Sequence, residues 1–560
     1  MSDAYRRLAA GLPQRRAPGT DAFPSDPRAV RGWLDTLPLA NTGAAARRLL
    51  DAVKALNGQV LAPQRRLELL ELLRPALLQL SGALDRQLVG AGFPLPAQQA
   101  DLGELAAALQ VGFAAGYRSA LVELTAPRGS VPLLRARTVA LAALRALQHD
   151  GERLARACLL YRAPPRGAWQ DLHDVHAFAA QLGLDGRRVG EGMRGTELDP
   201  RSAYVQALLF ALANPYAFSQ REQMLVAAIA GALVPHARLL GRAAGSIEDG
   251  VRVPIDADRG PGYVGTERDG GAGEAVMLEL QALLEAVGER LRRAEGARVI
   301  VMHPPGGAPF EAEVELLQRV VANLAARHER GHARIGGDHA LNTVLGLHDL
   351  HAVLAGGEDF ASFEQRLGGL AAEPSGAPWR MPGARGGALR SARVLDQALG
   401  GYRLLWQRGA GGENVRARVG ELVGLSLPAS GEAAADWMPG VIRWLRIDDT
   451  GDVECGIQLL ARRALPALLH QPGDTSRAAL RGILLADLEA APASDYASLL
   501  VSTELDRDAA AVEITAPADT TGAPRPARRI VVERPTWVSA GGAYGMLRLP
   551  EASAADPAVA

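Results

Sequence analysis

The chain has 560 residues, enough for three or four domains at about 150 residues each. A net charge of −1 supplies no global field for DNA or an anionic membrane, and two cysteines, Cys158 and Cys455, cannot build a disulfide framework or a cysteine-rich zinc site. Lys54 is the one lysine; every other basic residue is arginine, which excludes a Walker A loop and a kinase lysine and leaves Schiff-base chemistry to Lys54 alone.

Residues 1–25 hold Arg6, Arg7, Arg15 and Arg16 among Pro and Gly, with no apolar run; they read as a flexible tail without a secretory signal, and the two cysteines of the chain make the compartment read as cytoplasmic. From 26 to 245 the apolar periodicity is helical. Leu67, Leu69, Leu70, Leu73, Leu77, Leu80, Leu84 and Leu88 recur at three- and four-residue steps, and Asn57-Gly58 stops the helix before them. Further helices are predicted near 101–124, 131–160, 168–183, 200–213 and 219–241, with Asp101 and Asp199 as N-caps. The longest strongly apolar stretch, Met224 to Val234, is shorter than the roughly 20 residues a membrane-spanning helix needs. No fixed repeat of roughly 34 or 40 residues is visible. An irregular helical bundle of this kind reads as an interaction or scaffold domain.

The texture changes near 246. A short strand over Val251–Asp256, a Gly-rich loop from 260 to 273 and helices over 274–295 and 310–329 form an α/β connecting region, 246–324. After Gly331 the chain becomes β-like apart from a helix near 358–371. Strands are predicted at Arg393–Leu395, Tyr402–Trp406, Glu421–Ser426, Val441–Ile447 and Val453–Leu460, with Gly-rich turns between them, the pattern of a small antiparallel barrel over 325–470. A β-rich C-terminal segment, 471–553, has Arg529–Glu533 as its clearest strand. The chain is thus multidomain α plus β: an all-α N-terminal domain, a small barrel and a further β-rich segment.

Several motifs invite chemistry. His328-Glu329-Arg330-Gly331-His332 fits H-E-x-x-H, the zinc-protease spacing that sets two imidazoles on one helix face. Arg330 replaces the apolar residue expected behind that helix and Gly331 weakens its turn, so a helix terminus is the plainer reading. His173-x-x-His176 and His348-x-x-His351 have i, i+3 spacing but no Cys or clustered carboxylate nearby. Gly541-Gly542-Ala543-Tyr544-Gly545 reads as a hairpin. No G-x-S-x-G and no nucleophile set is present, and no enzyme activity is expected.

A second register fits better. Arg330-Gly331-His332-Ala333-Arg334 is R-x-x-x-R, and Asp396-Gln397-Ala398-Leu399-Gly400-Gly401 is D-x-A-x-x-G between two strands. Together they resemble the R-x-x-x-R and [D/N]-x-S-x-x-G signatures of the PilZ family of cyclic di-GMP receptors. The stretches Val419–Leu425, Trp437–Trp444 and Glu454–Leu460 are similar to the closing barrel strands of that family. Two departures stand out: Ala398 replaces the family serine, and about 60 residues, including the helix near 358–371, separate the motifs. The resemblance implies a non-enzymatic effector that binds cyclic di-GMP through Arg330, Arg334, Asp396, Ala398 and Gly401 and needs no metal or cofactor. Arg330 and Arg334 would hold phosphate and guanine, while Asp396 and Gly401 would shape the barrel side of the pocket. It further implies signal relay to a protein partner of a bacterial surface or motility machine, in surface attachment, type IV pilus function or motility, without DNA or membrane insertion. The alternatives are a degenerate PilZ-like module acting as a protein-interaction scaffold, and a zinc metalloprotease through His328, Glu329 and His332.

Overall fold

In a computed structural model of the protein the described residues are 3–17, 19, 22–131, 134–191, 196–241, 250–264, 273–325, 334–368, 389–409, 415–428, 436–472, 479–488, 496–519, 526–541 and 544–550. The chain forms two compact units, Met1–Ala91 with Leu95–Glu329, and Gly92–Pro94 with Arg330–Ala560.

The first unit is mainly helical, but the stretch 26–245 is not all-α: Val189–Glu191 pairs with Thr196–Leu198, and Arg238–Leu240 joins a four-stranded sheet. The long helices of the unit are Thr42–Asn57, Pro63–Leu88, Ala97–Thr125, Ala136–Leu159, Ala168–Gln181, Pro200–Leu212 and Gln220–Leu233. The eight leucines of that stripe, Leu67, Leu69, Leu70, Leu73, Leu77, Leu80, Leu84 and Leu88, are all buried, while Leu78 off the stripe is exposed. Gly58 caps the helix ending at Asn57, and the Asp199 side chain accepts from the Ser202 N–H at 2.8 Å. Asp101 is not a cap: its helix starts at Ala97, behind Pro96. That helix, Ala97–Thr125, is long and apolar enough by length and composition to cross a membrane, with 67% of its apolar window buried inside the protein.

Residues 1–25 are not a flexible tail throughout. Asp3–Ala10 is a helix whose Ala4, Tyr5 and Leu8 are buried, and Arg7 Nε donates to both Asp174 carboxylate oxygens at 2.9 Å. The 246–324 region is no separate connector either: Leu283, Val287, Ile300 and Leu317 join the same core as the helices before it. There the expected helix over 274–295 is a strand, Ala275–Glu279, followed by a helix, Gln281–Arg293; strand Phe310–Glu313 likewise precedes helix Val314–Ala325.

The second unit begins with strands β1 (Ile335–Gly336) and β2 (Ala340–Leu345), helices Gly346–Leu354 and Phe360–Gly368, and strands β3 (Arg390–Ala398), β4 (Gly401–Trp406), β5 (Leu422–Ser426), β6 (Met438–Ile447) and β7 (Val453–Leu459). The strand order β2-β5-β6-β7-β4-β3 closes on itself because β3 also pairs with β2. All pairs are antiparallel, giving a six-stranded barrel with Val394, Leu404, Leu425, Leu445 and Cys455 inside. β1 and β2 run along the same edge of β3, so the chain entering the barrel lies beside that strand. Inside, the Trp406 indole N–H donates to Thr343 Oγ1 at 3.0 Å, whose hydroxyl donates to the Arg390 carbonyl at 3.0 Å; this row of polar groups is satisfied without water.

Beyond the barrel, β8 (Ala464–His470), β9 (Leu480–Ala486), β10 (Tyr496–Val501), β11 (Ala511–Ala516), β12 (Arg528–Glu533), β13 (Thr536–Gly541) and β14 (Tyr544–Arg548) form one antiparallel sheet, ordered β12-β11-β8-β9-β10-β14-β13. The barrel strands thus end at Leu459, and β8, expected within the barrel region, belongs to this second sheet. Gly541 pairs with Tyr544, the hairpin that the Gly-rich stretch implied.

Candidate ligand site on the barrel

The site grows from one hairpin. β3 and β4 pair from Arg393↔Leu405 to Ala398↔Gly401, leaving Leu399 and Gly400 as the turn. The register shifts between Val394 and Asp396, which makes Leu395 an extra residue. Such a bulge re-aims the residue after it. The Leu395 carbonyl accepts from the Gly337 N–H at 3.1 Å, and β1 pairs Gly336 with Asp396 and Ile335 with Gln397. Register alone therefore brings Arg334, one step before β1, to the flank of β3.

The side chains complete the approach. Arg334 Nη1 donates to Asp396 Oδ1 at 2.8 Å. Arg403 Nη1 donates to the other oxygen, Oδ2, at 3.3 Å, and Arg403 Nε donates to Glu454 Oε1 at 2.7 Å. The result is an alternating row of charge, Arg334, Asp396, Arg403, Glu454, on the outer face of the barrel. The Asp396 side chain is 16% exposed and that of Arg334 46%, so the carboxylate sits in a recess with a guanidinium at its mouth. Burial by itself lowers the pKa of Arg403, but Glu454 and Asp396 outweigh it and hold the guanidinium above its ordinary value.

The backbone beneath is shaped by glycine. A Cβ at Gly401 would stand 2.1 Å from the Ile457 carbonyl oxygen, so no side chain fits where β4 meets β7. Gly456 pairs with Arg403 on one side and Trp444 on the other. A Cβ there would meet Trp444 Nε1 at 2.0 Å; the indole lies flat on the Gly456 backbone, on the face that carries Arg403 and Asp396.

Of the expected site residues, Arg334, Asp396, Ala398 and Gly401 converge on this hairpin. Arg330 lies outside the described residues, as do His328, Glu329 and His332 of the alternative zinc motif. Arg403 and Glu454 are the residues that sequence reasoning missed. Neither belongs to a short motif, and their neighbours in the row are set by cross-strand register. The signal available was a single charged residue set beside inward apolar ones, Arg403 before buried Leu404 and Glu454 between buried Val453 and Cys455.

The remaining candidates are structural. His173 is fully buried: Nε2 donates to the Arg259 carbonyl at 2.9 Å, which leaves Nδ1 to accept from the Tyr204 hydroxyl at 2.7 Å. His176 stacks on Tyr204 with ring centroids 4.0 Å apart. His351 Nε2 donates to the Ala467 carbonyl at 3.3 Å. Among the described residues no group of three or more His, Cys, Asp or Glu side chains is placed to hold a metal.

Comparison with known proteins divides along the same lines as the fold. Residues 28–244 match a family described as the N-terminal domain of the cyclic-di-GMP receptor FimW, and residues 387–466 match the middle PilZ domain of that receptor. The chain is similar to the cyclic-di-GMP receptor FimW of Pseudomonas aeruginosa, 27% identical over 516 residues that cover 83% of this chain and 82% of that protein. No solved structure matches. The PilZ match spans Asp396, Ala398, Gly401, Arg403 and Glu454; Arg330 and Arg334 precede it.

Proposed function

The chain belongs to the PilZ-containing family of cyclic di-GMP receptors, and from that premise we propose that it binds cyclic di-GMP on the outer face of its barrel, between the segment entering β1 and the β3–β4 hairpin. The observation that carries this reading is the meeting of Arg334 and Asp396 at 2.8 Å, across about 60 residues of sequence. A cyclic dinucleotide offers two phosphates and two guanines. Arg330 and Arg334 supply planar donor forks for phosphate or for guanine O6 and N7. Asp396 supplies a carboxylate that accepts from guanine N1–H and the 2-amino group. Ala398 leaves space where the family hydroxyl would stand, and Gly401 lets β4 close on β7 beneath the pocket.

The protein acts in this reading as a cytoplasmic receptor and not as an enzyme. Its helical unit carries the signal to a protein partner of a surface, pilus or motility machine. Residues 28–244 match the N-terminal domain of a cyclic-di-GMP receptor, which supports a place for the helical unit in the receptor. The absence of the serine hydroxyl at Ala398 favours, as a second reading, a barrel kept only as a protein-binding scaffold.

Thermal unfolding with and without cyclic di-GMP tests the choice, because a ligand that binds only the folded state raises its stability by mass action. The parent is expected to unfold at a higher temperature with ligand. Arg334→Ala and Asp396→Ala should each weaken binding by about 1.5–3 kcal/mol, the range for hydrogen bonds to charged groups, and shrink the shift; Arg334→Ala, at an exposed position, should do so without lowering the ligand-free unfolding temperature. A parent that shows no shift at millimolar ligand supports the scaffold reading.

A further inference from the structure

We propose that Arg403, fixed by Glu454, is a positioning residue that keeps the Asp396 carboxylate aimed at the ligand's guanine; the inference rests on the cyclic di-GMP reading of this site. Asp396 follows a bulge, so the regular ladder alone does not hold its direction. Two guanidinium groups hold it, one on each oxygen. They are not equivalent. Arg334 lies ahead of β1 and is 46% exposed. It is the group that a ligand phosphate can draw away. Arg403 stands within β4, and its Nε is tied to Glu454 at 2.7 Å, from β7. When Arg334 turns to a phosphate, Arg403 still grips Oδ2. Each carboxylate oxygen has two acceptor positions, so a carboxylate held in this way keeps room for the guanine N1–H and 2-amino donors.

The chemistry requires arginine. Its rigid fork presents Nε to Glu454 and Nη1 to Asp396 at once, across three neighbouring strands. A lysine ammonium is a single point at the end of a flexible stem and has no such fixed pair of directions. Glu454 needs only an acceptor oxygen for its part, so glutamine can replace it and alanine cannot.

Selectivity reads this role. Adenine has neither an N1–H nor a 2-amino group, so a correctly aimed Asp396 favours cyclic di-GMP over cyclic di-AMP. The experiment is a double-mutant cycle on the full chain with Arg403→Met, Asp396→Asn and the double variant, each titrated calorimetrically with both dinucleotides. Arg403→Met is expected to lower cyclic di-GMP affinity about tenfold, a coupling of about 1.4 kcal/mol, and to shrink the preference over cyclic di-AMP by the same factor. In the Asp396→Asn background it should cost nothing more. Glu454→Ala should reproduce the loss and Glu454→Gln should restore it. Equal losses in both backgrounds, or unchanged selectivity in Arg403→Met, overturn the inference while cyclic di-GMP binding itself stands. A parent that binds neither dinucleotide removes the receptor reading and this inference with it. Far-ultraviolet circular dichroism of each variant separates misfolding from lost binding; if Arg403→Met misfolds, the two Glu454 variants decide alone.

Discussion

Gly401 shows how a motif residue carries a structural demand that its motif does not state. In sequence it is the last position of D-x-A-x-x-G, where a small residue would let a base approach the backbone. In the folded barrel the tighter constraint lies underneath, 2.1 Å from a Cβ to the Ile457 carbonyl oxygen. Gly401→Ala must push two backbones apart, so its stability loss should reach or exceed the upper end of the roughly 1–3 kcal/mol typical of overpacking. Urea unfolding followed through the barrel checks this, and parent-like stability would show that β4 and β7 tolerate the extra carbon. Asp396 and Arg334 were legible because each sits in a short pattern with a chemical purpose. Arg403 and Glu454 were not. They lie 51 positions apart, and only the pairing Arg403↔Gly456 sets Glu454 two residues along β7 on the same face. Cross-strand neighbours of this kind leave no local trace in an arginine-rich chain.

Elements with strong period and punctuation were the readable ones. The leucine stripe over 67–88, the stop at Gly58 and the cap at Asp199 all stand where the side-chain chemistry places them. Helix Ala97–Thr125 begins four residues before its expected cap, directly after Pro96 at the N-cap position. Ala275–Glu279 is a strand where the pattern predicts helix, because a short apolar run fits either periodicity. The helices also bury titratable groups that their amphipathic pattern does not announce. Burial, and then the nearby Arg74 and Arg145, push His149 down to about 3, and burial pushes His176 down to about 4. Unfolding returns both to an ordinary value near 6.5. Between those limits the unfolded chain binds more protons than the folded one, so stability falls as the pH falls. The helical circular-dichroism melt should therefore hold from pH 8 to about 6.5 and drop steadily toward pH 4, with a shallower drop in His149→Gln. A melt independent of pH across that window would contradict neutral, buried imidazoles.

At the scale of the molecule, the order of a helical region, a barrel and a second β-rich region was visible from periodicity, because the change from a 3.6-residue to a two-residue period needs no tertiary information. The divisions were less visible. Residues 246–324 share the core of the helices before them, and β8 pairs with β9 and β11 outside the barrel. Such assignments depend on which apolar faces meet. The site has the same character: Arg334 and Asp396 stand far apart in sequence and meet because β1 and β2 return along β3. The receptor account makes that meeting a ligand clasp, and calorimetric titration of the full chain with cyclic di-GMP, with GMP and GTP as controls, tests it most directly. The account predicts saturable binding of the cyclic dinucleotide alone, weaker at high salt because exposed arginine contacts are screened, and equal or tighter in Ala398→Ser, which restores a hydroxyl to the turn. Absence of binding in both the parent and Ala398→Ser would contradict it.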